Sequence, residues 1–241
     1  MKVVLVGYGK MGKEVEKVLL SRGHQIVGKA TDENPINKEM INGADVAIDF
    51  STPNSVLNNI DFLLNFNIPS IIGTTGWNSN YNKVKGAVET QKGALVHASN
   101  FSIGVNLFFK LNEQLAKLME PYNDYTPHIT EIHHTEKLDA PSGTAITLAN
   151  GLIENYSQLK DWYCKQSDKN IDKGNNLEIE AVRENDVKGT HCIEYKSNID
   201  TLSIQHEAHN RTGFALGAVI AAEWILNKKG IFTMKDVLQL S

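Results

Sequence analysis

Short apolar runs alternate with helical patterns through the first hundred residues. Residues 3–6, 25–30, 45–50, 68–72 and 94–98 are brief and rich in Val, Ile and Ala, and read as buried parallel strands. Between them, spacings of three and four put Val15, Val18 and Leu19 on one helix face, and Val56, Ile60, Leu63 and Leu64 on another. Strand, helix, strand in this rhythm predicts a parallel α/β sheet.

The rhythm breaks after Phe101. Residues 103–120 predict a long helix with Leu107, Leu111, Leu115 and Leu118 facing the core and Pro121 closing it. Residues 128–134 read as a strand, and 141–156 as a helix with proline in its first turn. Residues 177–183, 190–197 and 201–209 read as three alternating strands joined as a meander, which predicts a mixed or antiparallel sheet with helices on one face. Residues 159–176, rich in Lys, Asp, Asn and Ser, are expected to form a mobile insertion or lid. An Ala- and Gly-lined helix over 214–226 is expected to return to the first domain, and a capped helix over 233–240 ends the chain. The expected plan is one dinucleotide-type domain over 1–101 and 212–241 and an α+β domain over 102–211.

Composition narrows the class. The 241 residues are 41% hydrophobic and 22% charged, ordinary for a globular protein, and the net charge of −4 argues against a broad nucleic-acid surface. Two cysteines, Cys164 and Cys192, imply no disulfide framework and fit a reducing cytoplasm. The opening apolar run is too short for a signal peptide, and no stretch approaches the roughly 18 apolar residues of a membrane span. A cytoplasmic enzyme without membrane or nucleic-acid partners is expected.

Two segments carry the chemistry. Gly7-Tyr8-Gly9-Lys10-Met11-Gly12 lies between a predicted strand and helix, and Asp32 follows about twenty residues later. Gly7 makes the tight turn, Gly9 lets the backbone approach a pyrophosphate, and Gly12 allows close packing of helix on strand. Asp32 would accept from the ribose hydroxyls. With Glu33 beside it and no arginine following, NADH is favoured over NADPH, which Lys10 or Lys29 would have to accommodate. The polar segments after the other strands, among them 73–77 and 99–102, fall on the same ligand-binding edge. Further on, His133, His134 and Lys137 precede Pro141-Ser142-Gly143-Thr144. Imidazoles and an ammonium move protons, and a glycine-bearing helix start closes its N–H groups on an anion. This points to an enzyme acting on a small acidic molecule. No metal is expected, because adjacent histidines lack the ligand spacing of zinc sites. A redox-sensing binding module would need a DNA-reading element or basic arm, and neither is visible.

The segments together resemble one family, the 4-hydroxy-tetrahydrodipicolinate (dihydrodipicolinate) reductases of lysine and diaminopimelate biosynthesis. The resemblance covers nearly the whole chain. It rests on Gly7 to Gly12, Asp49-Phe50-Ser51, Gly73-Thr74-Thr75-Gly76, Ser99 to Asn106, the block from Glu131 to Ala145, Arg183 with Gly189-Thr190-His191, and Arg211 to Ala218. It implies a Rossmann-type parallel-sheet dinucleotide domain and an α+β substrate and oligomerisation domain with a mixed sheet. It further implies that His133 gives or takes a proton, Lys137 gives one, His134 contacts substrate, and Ser142, Gly143 and Thr144 hold a carboxylate. Gly73, Thr74 and Thr75, with Ala98, Ser99, Asn100 and Phe101, would line the nicotinamide. A cyclic dicarboxylate substrate, reduced by NADH or NADPH with loss of water, and a homotetramer built through the sheets of the second domain are implied as well. Two departures stand out: the glycine loop is one residue shorter than in many relatives, and Thr135 and Glu136 replace basic residues. Arg183 and His191 are equally readable as strand-surface residues. The rival reading is another two-domain NAD(P)-dependent dehydrogenase, of the sugar or amino-acid type; the Glu-Lys-Pro of the sugar enzymes is partly matched by Glu136-Lys137, but here Leu138 stands in the place of the proline.

Overall fold

The structure, a computed structural model, describes residues 1–166 and 174–240. In chain order its strands are β1 (Lys2–Val6), β2 (Gln25–Ala30), β3 (Val46–Asp49), β4 (Ser70–Ile72), β5 (Ala94–His97), β6 (Thr126–His133), β7 (Asp161–Cys164), β8 (Asn176–Arg183), β9 (Thr190–Lys196), β10 (Thr201–Glu207) and β11 (Gly230–Phe232). The α-helices are α1 (Lys10–Ser21), α2 (Val56–Asn65), α3 (Tyr81–Thr90), α4 (Ile103–Met119), α5 (Gly143–Ile153), α6 (Thr212–Ile225) and α7 (Met234–Val237). Residues 1–103, with those from Arg211 onward, form one compact unit, and residues 104–210 form a second.

The first unit is built on a six-stranded sheet in the order β11-β5-β4-β3-β1-β2, parallel throughout. Its central strands are buried on both faces, which is why they read as continuous apolar runs. The α6 helix packs here: Ala215, Ala218, Ala221 and Ala222 join Val15 and Leu19 of α1 in one core. Strand β11 was not visible in the sequence, and neither was α3. The first is three half-buried residues, and the second buries only Val84 and Val88.

The second unit holds a five-stranded sheet in the order β10-β9-β6-β8-β7. It is mixed: β6 runs parallel to β8 and antiparallel to β9. The expected meander is corrected, since only β9 and β10 form a hairpin, and β6 separates β8 from β9. Sequence-adjacent strands usually pair, but alternation alone does not encode a neighbour. The expected lid is also corrected in part: β7 forms within it and pairs with β8, while residues 167–173 lie outside the described residues. Helix α5 starts at Gly143 rather than at Pro141, with Ser142 as its cap.

Helix α4 is rolled relative to its leucine spacing. Val105, Phe108, Phe109, Ala116 and Met119 are buried, whereas Leu107, Leu111 and Leu118 are exposed. Two adjacent phenylalanines and a methionine remove more apolar area from water than the leucine stripe does, and so they set the face. Tyr156 and Tyr195 fill the middle of this core. Among the described residues, no helix is long and apolar enough to cross a membrane.

Candidate active site

The polar loops of the first unit follow β1, β2, β3, β4 and β5 and so share the carboxyl edge of its sheet, where open parallel sheets bind ligands. Gly7 sits at φ +85°, and a Cβ there would lie 2.3 Å from the Phe50 carbonyl oxygen. A Cβ on Gly12 would meet the Gly7 carbonyl oxygen at 2.4 Å, so both positions exclude any larger residue. Gly9, by contrast, has nothing within 4 Å of its would-be Cβ and is exposed. Gly9 is also the N-cap of α1 and brings no side-chain cap to the first-turn N–H groups. An open approach to helix N–H groups fits a pyrophosphate. Lys10 is exposed, and Met11 packs on the core.

Asp32 and Glu33 are exposed two and three residues beyond β2. Lys29 is engaged elsewhere: its ammonium is 2.7 Å from Glu16, donates to the Tyr8 hydroxyl at 3.1 Å and lies 4.4 Å from the Tyr8 ring centre. The Tyr8 hydroxyl in turn donates to Glu16. These contacts lower the Glu16 pKa, the Lys29 hydrogen bond contributing most.

The nicotinamide-side residues fall into two groups. In the loop after β4 Gly73 is half-buried and Thr75 exposed, and after β5 Ala98 is half-buried and Ser99 exposed. Thr74, Asn100 and Phe101 are buried. Thr74 donates its hydroxyl to Asp49 at 2.7 Å, Asn100 accepts from the Ser102 amide at 2.9 Å, and Phe101 meets Phe50 edge-on. Their side chains brace the loops. The brace centres on Asp49, fully buried at the end of β3, whose carboxylate accepts from the Ser51 amide, the Ser51 hydroxyl, Thr74 and Asn59 at 2.7–2.9 Å. Trp77 is buried and donates to the Thr74 carbonyl at 2.9 Å, a packing role.

In the second unit, β6 alternates strictly, and its inward positions run Pro127, Ile129, Glu131, His133. Two ionisable groups thus continue an apolar face. The register sets His191 of β9 opposite Glu131 and Arg183 of β8 opposite His133. Glu131 accepts from the Ser142 amide at 3.1 Å on each oxygen and from Arg183 Nη2 at 3.2 Å. His133 Nδ1 and His191 Nε2 lie 3.4 and 3.7 Å from Oε2, ion-pair rather than hydrogen-bond distances. Burial works against the Glu131 anion, but His133, His191 and Ser142 outweigh it and hold the carboxyl well below its ordinary range. Burial also pushes the His191 pKa down, against the pull of Glu131.

Neither Arg183 nor His191 is a strand-surface residue: His191 is buried, and Arg183 is largely covered and ties Glu131 to the Asp139 carbonyl at 2.7 Å. Ser142 is buried; its hydroxyl accepts from the Ala145 amide and lies 3.2 Å from His191 Nε2, so its side chain is committed within the protein. Gly143 is exposed, with open space around its would-be Cβ, and Thr144 follows it half-buried. The Lys137 ammonium donates to both Asp139 oxygens at 2.7 Å, and its amide to the His134 carbonyl at 3.1 Å. His134 is half-buried and leaves the β6 face that carries His133.

Glu131, His133 and His191 place three ligand-type atoms within 4.8 Å of one another. Arg183 on the same carboxylate opposes a second positive charge there, so the donor set fits an ion cluster better than a metal centre. The arrangement offers proton-carrying groups, an exposed helix start for an anion and a buried charge beneath both. The sequence missed Glu131 and Asp49 as organisers; the signal for Glu131 was a charge at an inward position of an alternating strand.

Comparison with known proteins adds independent findings. Residues 1–101 match the model of the dihydrodipicolinate reductase N-terminus, and residues 104–238 that of its C-terminus. A 4-hydroxy-tetrahydrodipicolinate reductase from Christiangramia forsetii is 47% identical over 99% of this chain and 98% of its own length. Among solved structures, a dipicolinate-bound dihydrodipicolinate reductase from Paenisporosarcina sp. TG-14 superposes with a TM-score of 0.75 at 24% identity, covering 97% of each chain. A myo-inositol dehydrogenase from Corynebacterium glutamicum has a TM-score of 0.53 at 11% identity over 100% of this chain and 93% of its own, a likeness of fold alone.

Proposed function

The chain belongs to the dihydrodipicolinate reductase family, and on that premise we propose how its residues divide the work of the reaction. It is an NAD(P)H-dependent oxidoreductase that reduces 4-hydroxy-tetrahydrodipicolinate to tetrahydrodipicolinate with loss of water, a step of diaminopimelate and lysine synthesis. This sets aside the sugar-dehydrogenase reading.

The dinucleotide would be held by Gly7, Tyr8, Gly9, Lys10, Met11 and Gly12, with Asp32 on the ribose. A bound reduced nicotinamide supplies the hydride. Thr75, Ala98 and Ser99 would touch its ring, with the buried Thr74, Asn100 and Phe101 fixing the loops. NADH is the proposed preference. Asp32 and Glu33 stand where NADPH would bring a 2′-phosphate, and Lys29, already paired with Glu16, is not available to offset them.

The cyclic dicarboxylate would be held by Lys137 at one carboxylate and by the amides of Gly143 and Thr144 at the other, with His134 alongside. Loss of the ring hydroxyl with a neighbouring ring proton, as water, gives the conjugated imine; hydride addition to it then leaves an electron pair at the far end, as an enamine that has to gain a proton. Lys137 and His133 are proposed to carry it. An ammonium facing a dicarboxylate stays charged and so retains a proton to give. Ser142 is proposed to serve by holding the turn rather than by touching substrate. Assembly as a homotetramer and a place in the cytoplasm complete the reading.

The observation that carries this assignment is the cluster at the end of β6, where two histidines, an arginine and a helix start meet on one buried carboxylate. The test is loss of reduced-nicotinamide absorbance when the condensation product of aspartate semialdehyde and pyruvate is added, run with both cofactors. NADH should show the lower Michaelis constant. Equal constants would remove the acidic pair as discriminator, and absence of turnover with either cofactor would remove the assignment.

A further inference from the structure

The most deeply buried charge of the second unit belongs to a residue given no part in this chemistry. Glu131 is fully buried, and taking a carboxylate out of water costs several kcal/mol unless it is paired and hydrogen-bonded. Partners reach it from three strands and one helix start: His133 of β6, His191 of β9, Arg183 of β8 and the Ser142 amide ahead of α5. The remaining charged or titratable groups nearby are Asp139, whose backbone Arg183 holds, Lys137, which Asp139 binds, and His206 of β10, whose pKa burial and the His191 charge push down. A well-packed apolar residue at this inward position would stabilise β6 equally or better. What an apolar residue could not do is bind, at one point, the imidazole, the helix cap and, through Arg183, the loop that carries Lys137.

We propose that Glu131 is the positioning residue of the reduction site, whose buried carboxylate fixes the His133 ring, the Ser142–Gly143 turn and the Arg183-tethered Lys137 loop in one frame. The proposal rests on the functional reading above. It gives Glu131 two separable tasks. Its shape and acceptor capacity hold the Ser142 amide and so the helix start. Its charge opposes the burial that pushes the His191 pKa down.

Glu131→Gln separates these tasks, because it keeps the volume and an acceptor but removes the charge. With NADH and the condensation product, turnover should fall by about tenfold or more, with the KM for NADH unchanged. The alkaline side of the kcat/KM profile should move to lower pH, because the anion that raised the His191 pKa is gone. Glu131→Asp keeps the charge, so it should retain the wild-type profile while turnover drops. Should Glu131→Gln not fold, Arg183→Lys provides the second reading: it preserves charge but loses the fork that bridges Glu131 and the Asp139 carbonyl. It should weaken binding of pyridine-2,6-dicarboxylate about tenfold, as expected for one charge-assisted hydrogen bond, while NADH binding stays intact. A Glu131→Gln enzyme with wild-type turnover and profile overturns the proposal, as does one whose activity loss follows only a lowered melting temperature, and so does an Arg183→Lys enzyme of wild-type dicarboxylate affinity. Wild-type protein that neither binds pyridine-2,6-dicarboxylate nor oxidises NADH overturns the functional reading first and the proposal with it.

Discussion

Asp49 in the first unit and Glu131 in the second are both fully buried carboxylates near the carboxyl end of an interior strand, yet their partners differ in kind. Asp49 accepts only from neutral groups, the Ser51 amide and hydroxyl, the Thr74 hydroxyl and the Asn59 amide. Glu131 accepts from one neutral amide and is otherwise ringed by a guanidinium and two imidazoles. Neutral donors that do not titrate near neutrality make a fixed brace, suited to loops that hold a cofactor which gives up a hydride and exchanges no proton. Titrating donors couple geometry to protonation, suited to a site that has to deliver a proton. The same buried group thus serves as a strut in one unit and as a proton-linked frame in the other.

The sharpest way to break the comparison is at the proton-delivering end. Lys137→Ala should lower kcat by about 10²–10⁴-fold, the usual worth of general acid assistance, while NADH affinity measured by fluorescence is retained. Unchanged turnover would leave the second unit without its proposed donor.

The strut comes next. Asp49→Ala strands the buried Thr74 hydroxyl, at a cost of about 1–3 kcal/mol, and takes one acceptor each from the half-buried Ser51 hydroxyl and from Asn59, which keeps the Ser51 hydroxyl as a partner. Denaturant melts should show the loss, and the KM for NADH should rise several-fold more than the KM for the dicarboxylate. A rise confined to the dicarboxylate would mean that Asp49 does not serve the cofactor loops.

The pH dependence of stability carries a Glu131 part and a histidine part, and both act in the same direction. Glu131 has its folded pKa lowered from 4.5, so its contribution is present in full above about pH 4.5 and is lost as pH falls towards its folded pKa. His191, lowered from 6.5 chiefly by burial, acts in the same direction: the unfolded chain takes up its proton first, so stability starts to fall below about pH 6.5. Glu131→Gln should flatten the Glu131 part of the curve below pH 4.5 and extend the histidine part to lower pH, because Glu131 no longer raises the His191 pKa, which urea titrations across pH 3–8 would record.

The smallest effect is at the helix cap. Ser142→Ala removes the acceptor for the Ala145 amide and should cost about 0.5–2 kcal/mol of stability, with a modest rise in dicarboxylate KM. A collapse of turnover comparable with Lys137→Ala would show that Ser142 touches substrate after all.

Much of this was readable in the chain because it rests on local periodicity. The strand–glycine–helix start at Val6 to Gly12 announces itself through spacing, and the steric reasons for Gly7 and Gly12 are those the motif predicts. The partners of the two buried carboxylates were not readable in the same way. His191 reaches Glu131 only because β6 lies between β8 and β9, and nothing in the alternation of any of the three strands says which neighbours it takes. The roll of α4 escaped for a related reason: its leucines and its phenylalanines both have helical spacing, and the choice between the two faces belongs to the rest of the core. Strands β7 and β11, four and three residues long, carry too little pattern to stand out.

The most direct measurement is a crystal structure of the protein soaked with NADH and pyridine-2,6-dicarboxylate. The account predicts one carboxylate against the Lys137 ammonium and the other against the Gly143 and Thr144 amides, with Glu131 still bonded to Ser142 and Arg183 beneath them. A dicarboxylate lodged away from these groups, or a Glu131 side chain turned away from Arg183 and the Ser142 amide, would contradict it.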